Sequence, residues 1–429
     1  MSIDDGKLQI LLVCNALGMG GTERNVMLHA RELSRLGHDV RIHPLVVGGV
    51  LDDECSRWMD ARPGGGSDAK RVEQRLARHV EEWRPHIVHA LGSPADVLAA
   101  VVCMQVPGSR FVFALQDRKP MRERGTLRAM HWAMQLADLT IPDGEGTRCQ
   151  AVEEIGSPPE RTWTLVDGVD IDGLGSVRSR CETRAELGAD GDQLLVGMVA
   201  RLDLPKKGQD ILLDAVSLIQ APHARYVLVG DGDAVHALHN QALELGIADR
   251  VHFAGTRSDL GDVISALDIA VMSSRWESIP KSLLEKMALG RPIVTTDAGD
   301  IPEVARNEEN ALVVPTDNAA ALAGAIERLL FDAQLRSTLG EAARASIHEA
   351  GLTLRSSVCR LAEKYAEIVR ASPREDSRSM IRWMTDRLGM LLARRQLRVA
   401  LPYMRASVAA DAGLVAPELT PWRPDRLAG

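Results

Sequence analysis

The sequence predicts an α/β protein built from two doubly wound, Rossmann-like halves, and three observations predict it. Short continuous apolar runs alternate with amphipathic stretches along most of the chain, the pattern of parallel sheets covered on both faces. That alternation breaks once, over about residues 168–192, where Gly, Asp and Ser crowd together, and then restarts. At 429 residues the chain is also long for a single hydrophobic core. The expected organisation is a first half over 1–170, a linker over 171–192 and a second half over 193–352. A helix over 353–371 is expected to pack back toward the first half, followed by a basic amphipathic tail over 372–429.

The elements follow in order. "LQILLVCN" (8–15) reads as a buried strand, and the helix after it carries Val26, Ala30 and Leu33 at helical spacing and stops at Gly37. Next come "VRIHPLVV", a helix over 69–83, "HIVHALG", a helix over 95–105, "RFVFALQ" and a helix ending near Leu136. Strand-like "LTIPDG" and "TWTLVDG" close the first half. In the second half "LLVGMVA", "ARYVLVG", "RVHFAG", "DIAVMSS", "RPIVTT" and "NALVV" are each followed by a helical stretch. In sheets of this kind ligands bind beyond the carboxyl ends of the strands.

Composition narrows the class. A hydrophobic fraction of 45% with 26% charged residues is that of a globular protein. A net charge of −8 gives no reason to expect nucleic acid as a partner. The six cysteines are scattered without zinc or redox spacing, and read as reduced thiols in a cytoplasmic protein. The acidic N-terminus does not read as a signal peptide, and no apolar run approaches the roughly 18 residues of a membrane span. Arginine is concentrated in 118–134 and 378–404, where it interleaves with Met, Leu and Trp. Such helices either touch an anionic bilayer peripherally or bury their apolar stripe as ordinary helices. For the second stretch, docking on the protein's own surface and homodimerisation are further readings.

Three segments carry chemistry. "NALGMGGTE" (15–23) places Gly20 and Gly21 in a turn opening a helix, where backbone amides can approach an anion. "ARLDLPKKGQD" (200–210) ends a strand with Arg201 and brings Lys206 and Lys207 before Gly208, cations suited to a diphosphate. "RWESIPKSLLEKMALGRP" (275–292) places Glu277 before a helix and Glu285 two turns inside it. Ser278 can cap that helix, Pro280 suits its first turn, and Gly290 with Pro292 ends it. The Asp170/Asp172 and Asp231/Asp233 pairs have a metal-binding form, but the second falls in a strand-following turn where Asp and Gly are expected anyway, and no metal site is read.

The stretch from Arg275 onward resembles the E-x7-E signature of retaining glycosyltransferases of family 4, which have the GT-B fold. "VARLDLPKKG" is similar to that family's Arg…Lys-Gly phosphate segment, "VLVGDGD" to its Gly-Asp-Gly turn and "VHFAGTRSDL" to its base loop. "GMGGTERNVMLHARELSRLGHDV" is similar to its N-terminal glycine turn and first helix. The ordered set covers most of residues 8–370. The resemblance implies transfer of a sugar from a nucleoside-diphosphate donor to an acceptor hydroxyl, with retention and no catalytic metal or other cofactor. A UDP-sugar is favoured over a GDP-sugar.

Donor binding would fall to Gly20, Gly21, Arg201, Lys207, Gly230, Phe253, Gly255, Thr256, Ser278, Ile279, Pro280, Lys281, Ser282, Leu283 and Glu285. Glu277 would address the transferred sugar. The acceptor, a glycan, lipid-linked sugar or small molecule, would meet the first half near His89 and Arg118.

This chain also departs from the family pattern. Gln116, followed by Asp117, stands where many members have a His beside the transferred sugar, and these two are taken with Glu277 as the catalytic set. Asp167 stands for a usual Asn, and Leu91 for a frequent second His. One extra residue separates Arg201 from Gly208, so Lys206 competes with Lys207 for the phosphate. Lys286 replaces a small residue, and a salt bridge to a neighbouring carboxylate accounts for it most simply. The alternatives to a transferase are a nucleotide-sugar epimerase or hydrolase of the same fold, and a scaffold that binds the donor without chemistry.

Overall fold

The computed structural model describes residues 6–18, 20–59, 69–116, 124–371 and 380–411, with side chains in the last segment described over 389–409. The chain divides into two compact units, Met1–Leu165 with Val358–Gly429, and Val166–Ser357.

Among the described residues the first unit holds five parallel strands: β1 (Gln9–Cys14), β2 (Asp39–Pro44), β3 (Ile87–Leu91), β4 (Arg110–Leu115) and β5 (Leu139–Pro142). Their order is β2-β1-β3-β4-β5, so the winding reverses between β1 and β3. Nearly every strand residue is buried because helices cover both faces. At the reversal, the Asn15 amide donates to Ser93 O (2.9 Å) and accepts the Ala95 N–H (3.0 Å), tying the loops after β1 and β3 together. The expected strand in "TWTLVDG" is absent as a ladder. Thr162 makes an isolated bridge to Thr140, and the Trp163 and Leu165 N–H groups donate to Thr140 O and Pro142 O, both at 2.9 Å, so the segment runs beside β5 without forming a named strand.

Of the tail's readings, docking on the protein's own surface is seen for the described helix. Helix Met380–Asp411 lies on helices Arg124–Leu136, Ala95–Gln105 and Ala69–Trp83 of its own unit. Ala393, Leu397 and Leu401 enter the core there, and the Arg394 guanidinium grips Glu73 through two hydrogen bonds of 2.7 and 2.8 Å. The apolar stripe of 124–136, including Ala129, Met130, Trp132 and Ala133, is buried in the same cluster. Helix Leu354–Arg370 contributes Tyr365, whose hydroxyl bonds His89 Nδ1 inside the unit.

The second unit holds β6 (Leu194–Val199), β7 (Ala224–Val229), β8 (Val251–Gly255), β9 (Ile269–Met272), β10 (Ile293–Thr296) and β11 (Leu312–Val314). All pairs are parallel in the order β11-β10-β9-β6-β7-β8, with β6 and β9 in register at Val196↔Ile269 and Gly197↔Ala270. The winding reverses between β6 and β9, the crevice where doubly wound sheets bind ligands. Residues 171–192, expected as a linker, are anchored in this unit. Helix Arg180–Glu186 packs on helix Leu260–Ala266. The Asp262 carboxylate accepts from the Ser176 hydroxyl (2.6 Å) and the Val177 (2.9 Å) and Arg178 (3.0 Å) amides. Among the described residues no helix is long and apolar enough to cross a membrane.

Candidate functional site

The reversal between β6 and β9 sets two loops side by side. After β6 the chain runs through Arg201 into the one-turn helix Leu204–Lys207, whose start is capped by Asp203. Gly208 ends it at φ +63°, and a Cβ there would stand 2.2 Å from Ser273 O. Glycine is therefore required where this loop meets the one after β9. Ser273 Oγ donates to Gly208 O (2.7 Å), and the Arg275 N–H donates to Lys206 O (2.8 Å). The Arg275 side chain adds an ion pair to Asp210 at 2.7 Å and another to Asp317 at 2.6 Å. Two loops far apart in sequence thus behave as one rigid rim.

On that rim Glu277 is 3% exposed. Its Oε1 accepts from Lys207 Nζ and from the Ser274 hydroxyl (3.0 Å), and its Oε2 lies 3.4 Å from Lys206 Nζ. Its backbone is gripped as well. Gly299, at φ +58°, lies so close that a Cβ would fall 1.7 Å from Glu277 O. Ser274 is fixed in turn by the Thr296 hydroxyl donating to its carbonyl (2.6 Å). Competition between Lys206 and Lys207 thus ends with both ammonium groups on one carboxylate.

Helix Lys281–Ala288 starts three residues after Ser278, and Pro280 takes the capping position with extended backbone and no side-chain cap. The expected Ser278 cap is therefore corrected. Pro280 O instead accepts the Leu283 N–H (2.9 Å), and proline stands where no amide is needed. Ser278 and Ile279 are buried under the helix start. Glu285 lies in the second turn, 8% exposed. Lys286 is fully buried, and its Nζ donates to Ser282 O at 2.9 Å. No carboxylate pairs with it among the described residues, which corrects the salt bridge expected of it. Burial lowers its ammonium from the usual 10.5 to about 8, against the fields of Glu285 and Glu277, which raise it.

The remaining expected residues are spread around this centre. Arg201 is exposed and its carbonyl accepts from Gln209 Nε2 (2.7 Å). The Gly230 N–H donates to Gly255 O (2.8 Å), which brings the turn after β7 onto the end of β8, beside exposed Thr256. The Phe253 ring stacks on His239 of helix Val235–Glu244 with centroids 3.8 Å apart.

Gly20, Gly21, Gln116 and His89 lie in the other unit. Gly20 precedes helix Gly21–Arg35, and the Glu23 carboxylate folds over it. Gln116 follows β4, half-buried. His89 is 2% exposed, and its Nδ1 is bonded to the Tyr365 hydroxyl. Asp117 and Arg118 lie outside the described residues. Sequence reasoning missed Ser274, Thr296 and Gly299, whose roles come from contacts between loops that no spacing encodes. Among the described residues no three His, Cys, Asp or Glu side chains gather as a group able to hold a metal.

Comparison with known proteins bears on this arrangement. Residues 19–172 match the family model Glycosyltransferase Family 4, and residues 179–346 match Glycosyl transferases group 1. EpsD of Bacillus subtilis, a glycosyltransferase by name, is 31% identical over 70% of this chain and 80% of its own length. The chain belongs to glycosyltransferase family 4. Another member, the D-inositol 3-phosphate glycosyltransferase of Streptomyces bingchenggensis, is 28% identical over 73% of this chain and 69% of its own length. This family 4 glycosyltransferase has the GT-B fold, as does Anabaena HepE. HepE, crystallised with UDP-glucose, superposes at a TM-score of 0.74 with 24% identity over 84% of this chain and all of its own.

Proposed function

We propose that this glycosyltransferase moves a sugar from a nucleoside-diphosphate donor to an acceptor hydroxyl with retention of configuration and without a metal in the chemistry. A UDP-sugar is favoured as donor, in line with the UDP-glucose that HepE was crystallised with. The reading is carried by one observation, the convergence of Lys206, Lys207 and Glu277 on the rim between β6 and β9. Departure of the diphosphate builds negative charge at its oxygens. The two ammonium groups and the Arg201 guanidinium stabilise that charge, and the amides opening helix Lys281–Ala288 add the helix dipole. Glu285 accepts the ribose diol, and Glu277 addresses the hydroxyls of the transferred sugar. Acceptor binding falls to the first unit, with Gln116 as a hydrogen-bonding group rather than a base.

The test is a screen of UDP-, GDP- and ADP-sugars for thermal stabilisation, followed by turnover of the stabilising donor with glycan, lipid-linked and small hydroxylated acceptors. Glu277→Ala is expected to lower turnover by about a hundredfold or more. Unchanged turnover would remove Glu277 from the chemistry. Consumption of donor at the same rate without any acceptor would favour a hydrolase or epimerase.

A further inference from the structure

Glu277 is held by the same cations that the proposed donor requires. Its two oxygens divide between two lysines, Lys207 on Oε1 and Lys206 at 3.4 Å from Oε2, with the Ser274 hydroxyl on Oε1 as well. A carboxylate this deeply buried is stable only while it is paired. The backbones of Lys206 and Lys207 are fixed on one turn of helix between Asp203 and Gly208, so a ligand can part the lysines from Glu277 only by rotating side chains, not by moving the loop. The Glu277 backbone is likewise anchored, by Gly299, so its carboxylate also moves only through its side-chain bonds. Phosphate oxygens arriving at this rim seek the same N–H donors, and one ammonium cannot give its best hydrogen bonds to both anions.

We infer that Glu277 is a built-in competitor of the diphosphate: it holds Lys206 and Lys207 in position, and donor phosphates take ammonium groups from it, releasing its carboxylate toward the transferred sugar. The inference rests on the donor reading above and adds a direction to it. Lys206 has the longer contact and is the first to transfer, which gives a role to the residue inserted between Arg201 and Gly208. The carboxylate is turned to the sugar only when phosphates are seated, so engagement of the sugar is coupled to binding of the complete donor.

The consequence has an unusual sign. Removing a binding-site residue should tighten the nucleotide. Calorimetry of the full chain with UDP, and with GDP and ADP, compares the native protein with Glu277→Gln, Lys206→Met and the double variant, each checked for a native melting curve. Glu277→Gln is expected to bind sugar-free UDP roughly five- to tenfold more tightly, the scale of an ion pair between exposed and buried settings. Lys206→Met is expected to bind it more weakly, and in that background the gain from Glu277→Gln should shrink to less than about half. If the glutamine variant does not fold, Glu277→Asp, whose shorter side chain reaches the lysines less well, should shift affinity in the same direction. UDP affinity that is unchanged or weaker in the Glu277 variants overturns the inference, and so does a gain of full size without Lys206. Failure of the native protein to bind any of the three nucleotides withdraws the donor reading itself.

Discussion

Gly389 lies against the face of Trp132, so close that a Cβ on it would stand 2.2 Å from the indole. A glycine in mid-helix is intrinsically unfavourable; here it lets helix Met380–Asp411 approach a large buried ring. Gly389→Val is expected to lower stability by about 2–3 kcal/mol through overpacking. Chemical unfolding measures the loss, and binding of a hydrophobic dye reports whether the tail helix has lifted.

The Arg394–Glu73 pair tests the same docking from its polar side. Hydrogen bonding from Arg394 holds the Glu73 carboxyl below its ordinary range. Its contribution is therefore complete above the unfolded carboxylate value and is lost as pH falls through the lowered folded one. Because the guanidinium is 42% exposed, the coupling in a double-mutant cycle should be about 1 kcal/mol or less at neutral pH. It should vanish in acid.

Lys286 gives the opposite pH dependence. Its ammonium titrates near 8 in the folded protein against 10.5 in the unfolded chain. Between those values the unfolded state binds more protons, so folding stability rises with pH across the window, by about 3 kcal/mol in total. Lys286→Met removes that rise. Urea unfolding of both proteins at pH 7, 9 and 10 measures the difference, and parallel curves would contradict it.

Gly299→Ala probes the backbone that carries Glu277. With φ at +58° and a Cβ placed 1.7 Å from Glu277 O, the substitution cannot be accommodated without moving the loop that carries Glu277. A loss of about 2–4 kcal/mol in stability is expected. Turnover should fall more steeply than donor affinity if the sugar-facing carboxylate is displaced while the phosphate cations stay.

Much of this was legible from the chain. The buried strands announced themselves as continuous apolar runs, and the ordered motifs placed Arg201, Lys207, Glu277 and Glu285 in one unit. The errors share a physical origin. His89 sits on a strand that looks like any other, and only Tyr365, far along the chain, shows that its Nδ1 is bonded within the unit. Ser278 has the chemistry of a cap, but the helix starts later because Pro280 accepts the first turn's amide. Lys286 suggested a salt bridge by its charge, whereas its reach leads back one turn to Ser282 O. Arginine-rich tails look alike whether they meet lipid or protein, and the docking of this one is visible only through contacts such as Gly389 on Trp132.

The chain leaves the first unit near Leu165 and returns to it at Val358. At that exit and return, Val169 and Thr353 form a parallel bridge, with Val169 N–H on Leu352 O at 2.9 Å and Leu354 N–H on Val169 O at 2.8 Å. The second unit is thus inserted into the first through two neighbouring strands of chain, and its own ends meet. Such a segment can be excised with both cut points at one spot. The half that carries Lys207 and Glu277 is accordingly the natural fragment in which to measure nucleotide binding apart from acceptor chemistry.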